Sequence, residues 1–127
     1  QLVANSVGKD CLIISESTSY PGTLREIIAP IVQKATNAKG LRIEFSVAPE
    51  RIDPGNEKWD IANTPRIISG LSSEAIQKTK QLYGTFCSEI ISVESAEIAE
   101  MAKLLENSYR LINISFINLL ENIPLTN

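Results

Sequence analysis

The chain lacks histidine entirely and carries only two cysteines among its 127 residues. Without histidine there is no imidazole base, no histidine-based triad and no imidazole metal ligand. Cys11 and Cys87 form no Cys-x-x-Cys pair, so no metal site is expected. Two cysteines without a secretory signal make no disulfide framework, and each is expected to be a small buried hydrophobe. The glycines at 8, 22, 40, 55, 70 and 84 are isolated, so no Gly-x-Gly-x-x-Gly phosphate loop occurs. No apolar run reaches about 18 residues, so no membrane span is expected. No basic residue precedes an apolar run at the start, so a signal peptide is not expected and the cytoplasm is the expected location. The net charge is -3 with no block of one sign, which disfavours nucleic acid as a partner. The chain opens on Gln1 rather than Met, and is expected to be a piece of something longer.

What is present is enough for a core. Hydrophobic residues make up 43%, ordinary globular usage, and the length suits one small domain. Cys11-Leu12-Ile13-Ile14-Ser15 is a continuous apolar run, the pattern of a strand buried on both faces. Thr23 and Glu26 have capping-box spacing ahead of a helix over about 24–37, which Pro30 should kink or shorten. Asn37 and Gly40 are its stop signals. Residues 41–47 alternate and predict a second strand, and 48–64 an ordered loop. A third strand is expected over 65–70, then a helix capped by Ser72 or Ser73, then a fourth strand over 90–93. Strands alternating with helices predict an α/β fold with a parallel sheet.

The last segment differs. From about Ser95 to Ile123 nothing interrupts the helical pattern. Ile98, Met101, Leu105, Tyr109, Ile112 and Phe116 recur every three or four residues as one stripe. Lys103, Asn107 and Arg110 occupy the opposite side, which turns apolar further on at Leu111, Ile114 and Ile117. A helix apolar on both sides is expected to be buried on both sides.

Few residues could carry chemistry. Thr18 and Glu50 each follow a predicted strand, where open parallel sheets bind ligands. Turn chemistry and a surface Glu50–Arg51 pair are the plain alternative. Lys103 and Asn107 share a helix face and could both serve an oxyanion. The alternative there is a solvated face made of Glu100, Lys103, Glu106, Asn107 and Arg110.

Four blocks in order carry a resemblance. They are Glu16-Ser17-Thr18 with Tyr20-Pro21-Gly22-Thr23, then Ala48-Pro49-Glu50-Arg51, then Ile67-Ile68-Ser69-Gly70, then Ala99 to Asn107. Over roughly residues 11 to 118 the chain resembles the UDP-glucose/GDP-mannose dehydrogenase family. Arg51 and Pro54-Gly55 are similar to the branch acting on N-acetylated UDP-hexosamines, with UDP-N-acetylglucosamine the nearest substrate. UDP-glucose members usually have an aromatic residue at Arg51 and a glutamate at Pro54.

The resemblance implies a Rossmann-like α/β fold. Residues 1–93 would be the later half of a dinucleotide-binding domain, and 94–127 the first long helix of a central dimerisation domain. It implies NAD as cofactor, a UDP-sugar as substrate and a homodimer through that helix. The family oxidises C6 of the sugar in two hydride transfers through a cysteine thiohemiacetal and thioester. Its cysteine stands in a Gly-Gly-His-Cys type segment absent here, so the chain alone should be silent. By position, Thr18 and Glu50 would order the nicotinamide and a catalytic water, with Ser17 beside them on the cofactor. Lys103 and Asn107 would hold the substrate oxygen, and Arg51 and Arg110 would stand by the substrate. Two alternatives stay open: a non-catalytic dimerisation or interaction module, and a UDP-glucose 6-dehydrogenase.

Overall fold

The computed structural model describes residues 2–51 and 60–123. A short helix α1 (Leu2–Ser6), outside every expected element, precedes strand β1 (Cys11–Ser15). A π-helical turn (Thr23–Ile28) runs into helix α2 (Ala29–Thr36), which ends in a 3-10 turn (Asn37–Lys39). Strands β2 (Ile43–Val47) and β3 (Arg66–Gly70) follow, then helix α3 (Ser73–Tyr83), strand β4 (Ile90–Ser92) and helix α4 (Ala96–Glu121). Pro54 and Gly55, on which part of the substrate expectation rests, lie outside the described residues, as does the chain beyond Ile123.

The four strands form one sheet in the order β1-β2-β3-β4. β1 and β2 are parallel, Cys11 opposite Ile43 through Ser15 opposite Val47, and β3 and β4 are parallel as well. β2 and β3 are antiparallel, with Ser46 opposite Gly70, so the expected α/β fold has a sheet that is parallel except at this one step. The reason lies in the connections. Helices cross over between β1 and β2 and between β3 and β4, whereas no described helix joins β2 to β3.

Side chains alternate across the sheet. Ile13, Ile43, Phe45, Val47 and Ile67 pack with Leu24, Val32, Ala96 and Ala99 from the π turn, α2 and α4. Ile14, Ala48, Ile68 and Ile90 pack with Ile76 and Tyr83 of α3 on the other face. β2 is the strand buried on both faces, and Ser46, fully buried, shares a 2.6 Å hydrogen bond with Thr79 of α3. β1 is only half-buried along its length, against expectation, because it pairs with β2 alone among the described strands. Cys11 is accordingly half-buried rather than buried, while Cys87 is buried.

The caps are local where the sequence allows. Ser72 accepts from the Ala75 amide at 3.0 Å and Ser95 from the Ile98 amide at 3.3 Å, opening α3 and α4. Gly40, at φ 65°, stops the 3-10 turn. Pro30 limits the regular helix to Ala29 onward, where its missing N–H costs nothing. The Thr23–Glu26 capping box does not form. Thr23 donates instead to the Tyr20 carbonyl at 2.6 Å, and no side chain at the N-cap position caps the π turn.

α4 enters the fold at Ala96 and Ala99, whose small side chains are fully buried. Arg25 grips its first turn through Glu97 at 2.7 Å. That bond, with backbone bonding beside it, holds the Glu97 carboxyl at about 2 against an ordinary 4.5. A depressed carboxyl adds stability above its ordinary pKa and loses it as the pH falls toward the folded value. Arg25 is half exposed, so screening limits the pair to roughly 0.2–1 kcal/mol. Arg25→Ala should therefore lower the urea-unfolding free energy by that amount near neutral pH, with the gap closing between pH 4.5 and about 2. A gap that stays constant across that window would contradict the ion-pair account.

Candidate functional site

Because β1 and β2 are parallel, the segments leaving their carboxyl ends emerge side by side. The ladder continues past the strands: the Ala48 amide donates to Ser15 O at 2.9 Å, and the Glu50 amide to Glu16 O at 3.2 Å. Residues 16–18 and 48–51 are thereby held as neighbours. α4 runs beside both, and Glu100, Lys103 and Asn107 fall within about 60° of one another around its axis.

Lys103 and Asn107 each engage one of the two segments, and Glu100 engages the loop just beyond Thr18. Asn107 Nδ2 donates to Thr18 Oγ1 at 3.0 Å, which leaves the threonine its own proton to donate. Lys103 donates its ammonium to the Glu50 carbonyl and stands 3.8 Å from Glu50 Oε2. Its side chain is 12% exposed and that of Glu50 38%, so the cation is mostly enclosed while the carboxylate reaches solvent. The solvated-face alternative fails for Lys103 and for Glu100, which is 1% exposed. Arg51 clamps Glu106 through both nitrogens, Nε to Oε2 at 2.8 Å and a second bond from Nη2 to Oε1. The expected substrate arginine is thus engaged with a helix carboxylate. Arg110 lies one turn beyond Glu106, on an open recess with Tyr109, Asn113 and Ile114. Ser17 is exposed and lines a different recess of about 380 Å³, floored by Ile13, Ile14, Ile27 and Ile31.

Two groups at this site escape sequence reading. Arg66, 4% exposed at the start of β3, donates to the Ala48 and Pro49 carbonyls at 3.4 and 3.3 Å. Together with Lys103 on the next carbonyl, two cations hold three successive backbone oxygens and fix the approach to Glu50. Arg66 also stands 5.1 Å from the centre of the Tyr83 ring, whose hydroxyl donates to Glu16. Burial first, then that carboxylate, push the Tyr83 phenol up. The second group is Glu100, bonded to Ser19, Gly22 and Leu24. The only signal for either was a charged residue inside an apolar pattern, at Pro65-Arg66-Ile67 and at Ala99-Glu100-Met101.

Residues 1–87 match the NAD binding domain of the UDP-glucose/GDP-mannose dehydrogenase family. The chain belongs to that family. A UDP-N-acetyl-D-mannosamine dehydrogenase of Pyrococcus horikoshii is 36% identical over 117 residues, 91% of this chain and 28% of the relative. A UDP-N-acetyl-D-glucosamine 6-dehydrogenase of Salmonella typhi is 31% identical over 121 residues, 93% of this chain and 28% of the relative. The native structure of the Staphylococcus aureus UDP-N-acetyl-mannosamine dehydrogenase superposes with a TM-score of 0.76 at 34% identity, covering 95% of this chain and 29% of that one. The chain thus spans under a third of these family members. Both the mannosamine and the glucosamine enzymes stand among them, so the likeness does not single out the N-acetylglucosamine form.

Proposed function

We propose that this chain is part of an NAD-dependent UDP-N-acetylhexosamine 6-dehydrogenase. On this reading residues 1–93 are the later half of its dinucleotide-binding domain and 94–127 the start of its central dimerisation helix. The observation that carries the reading is the convergence of Thr18, Glu50, Lys103 and Asn107 from two strand ends and one helix, within a chain of this family.

The residues fit one end of the cofactor. The Thr18 hydroxyl, the Glu50 carboxylate and the exposed Ser17 lie past adjacent parallel strands, where a dinucleotide-binding sheet meets its ligand. No glycine-rich loop in this chain could cradle a pyrophosphate. Bound NAD would accept hydride from the sugar's C6. Lys103 and Asn107 would donate to the substrate oxygen as it gains negative charge, a cation and a neutral amide one turn apart. Thr18, its acceptor side taken by Asn107, would offer its proton to a water or to the nicotinamide amide. Glu50 would take a proton from that water. Neither cysteine suits the family's nucleophile: Cys87 is buried, and Cys11 begins β1 at the end of the sheet away from Thr18. The chain alone would be silent. A homodimer through α4 and a cytoplasmic location belong to the same reading.

The test is NAD reduction by the full-length protein with UDP-N-acetylglucosamine, UDP-N-acetylmannosamine and UDP-glucose. The expected result is NADH formation with an N-acetyl sugar, with kcat/KM at least about tenfold above UDP-glucose, the scale at which pocket contacts discriminate. Preference for UDP-glucose would discard the branch. Silence with all three and with UDP-N-acetylgalactosamine would discard the enzyme and favour a dimerisation module.

A further inference from the structure

Glu100 is a charged side chain with 1% exposure in a segment that packs through alanines. An ionised carboxylate is costly to bury unless its oxygens are bonded. Here they are. Oε2 accepts from the Gly22 amide at 2.7 Å, and Oε1 from the Leu24 amide at 2.9 Å and the Ser19 hydroxyl at 3.4 Å. These donors open the π turn, and a negative charge beside the first amides of a helix is favourable. Gly22 also has φ 95°, a conformation that turns its N–H toward α4 and that L side chains rarely adopt.

The consequence concerns Thr18. That residue lies one position before the first of these donors, and its hydroxyl accepts a bond from Asn107 of α4. Glu100 and Asn107 lie seven residues apart on one helix and hold the same loop at two points. We propose that Glu100 is a positioning residue, an anionic pin that sets the Thr18 hydroxyl against Asn107. It touches neither Thr18 nor Asn107 and acts through the loop that carries Thr18. The inference rests on the dehydrogenase reading for its catalytic consequence, but the geometry it asserts is independent of that reading.

Two variants separate a pin from an ordinary cap. Glu100→Gln keeps the shape but turns an amide N–H toward one backbone donor, so one of the two amide bonds is lost. Glu100→Asp keeps the charge and retreats by one methylene. Both are made in this chain and followed by NMR. The expected result is at least a tenfold rise in hydrogen exchange at Gly22 and Leu24 together with a displaced Asn107 side-chain amide signal, while the amides of β2 and β3 stay protected. Faster exchange with an unmoved Asn107 signal would make Glu100 a cap only and overturn the proposal. Unchanged exchange would overturn it as well. If a variant unfolds, the wild-type chain decides: Gly22 and Leu24 amides exchanging within about tenfold of their intrinsic rates would mean that no pin exists. In the full-length protein Glu100→Gln should lower kcat by about 10–100-fold with KM changed less than about threefold, the pattern of misplaced catalytic groups. Should the wild-type protein oxidise no sugar, the dehydrogenase reading falls while the NMR result still judges the pin.

Discussion

Lys103→Ala is expected to lower turnover of the full-length enzyme by about 10²–10³-fold, the scale for removing one oxyanion partner from an enclosed site. On the proposed reading the ammonium has two tasks, and both are lost together. It supplies positive charge where its 12% exposure leaves little water to screen it. It also ties down the Glu50 carbonyl, so its loss loosens the carboxylate assigned to the water. The two tasks separate in a second variant. Lys103→Arg restores a cation but not the geometry, because a planar guanidinium cannot occupy the ammonium's place between the Glu50 carbonyl and its carboxylate. Lys103→Arg should therefore remain at least tenfold below wild type while urea unfolding shows a folded protein. Removing a charged hydrogen bond costs about 1.5–3 kcal/mol, so stability must be measured beside turnover for both variants. Folded Lys103→Ala with undiminished kcat would end the oxyanion assignment.

What the sequence made legible at this site was chemistry that depends on local spacing. Lys103 and Asn107 could be placed on one face because a helix repeats every 3.6 residues. Thr18 and Glu50 could be placed at strand ends because apolar runs stop just before them. Ser72, offered beside Ser73, announced its helix because a cap bonds an amide three residues on. None of these inferences needed knowledge of what lies across the fold.

The misreadings all needed that knowledge. The cap at the π turn was assigned to Thr23 and Glu26, its sequence neighbours, yet it comes from Glu100, 78 and 76 residues from Gly22 and Leu24. Arg66 received no assignment from the sequence because its partners, the Ala48 and Pro49 carbonyls, lie 18 and 17 residues away. Burial of β1 and β2 was read in reverse. The apolar run of Cys11–Ser15 has β2 alone as a described neighbour, whereas Ser46 of the alternating β2 is buried because Thr79 satisfies it. Strand composition reports what a side chain tolerates, and the neighbouring elements decide what it meets. The antiparallel step from β2 to β3 has the same origin, since strand direction is fixed by the connection rather than by the strand.

α4, expected to be the spine of a second, helical domain or of a subunit interface, yields the second strong prediction. Within the chain only Ala96, Ala99 and Glu100 are buried along its 26 residues. Leu105, Tyr109, Leu111, Ile112, Phe116 and Leu119 are each 56–70% exposed. Every described residue from Asn107 onward is exposed, so the later half of the helix has no packing to hold it. About 15 helical residues without tertiary support are marginal in water, and three isoleucines at 112, 114 and 117 lower the propensity further. No helix among the described residues is long and apolar enough to cross a membrane. A second copy would cover the stripe, since an apolar helix face can be self-complementary about a twofold axis. Burying a large apolar side chain contributes about 1.5–3 kcal/mol, so six or more per subunit can exceed an association cost of about 4–15 kcal/mol. The chain is therefore expected to sediment as a dimer at micromolar concentration. Ile112→Glu combined with Phe116→Glu should weaken that dimer by at least about 100-fold, because each carboxylate would have to be buried unpaired. Helical circular dichroism should fall in the same variant, as the unsupported half of α4 melts while the sheet remains. A wild-type chain that stays monomeric to about 100 µM with α4 fully helical would contradict both the dimer and the helix-stability argument beneath it.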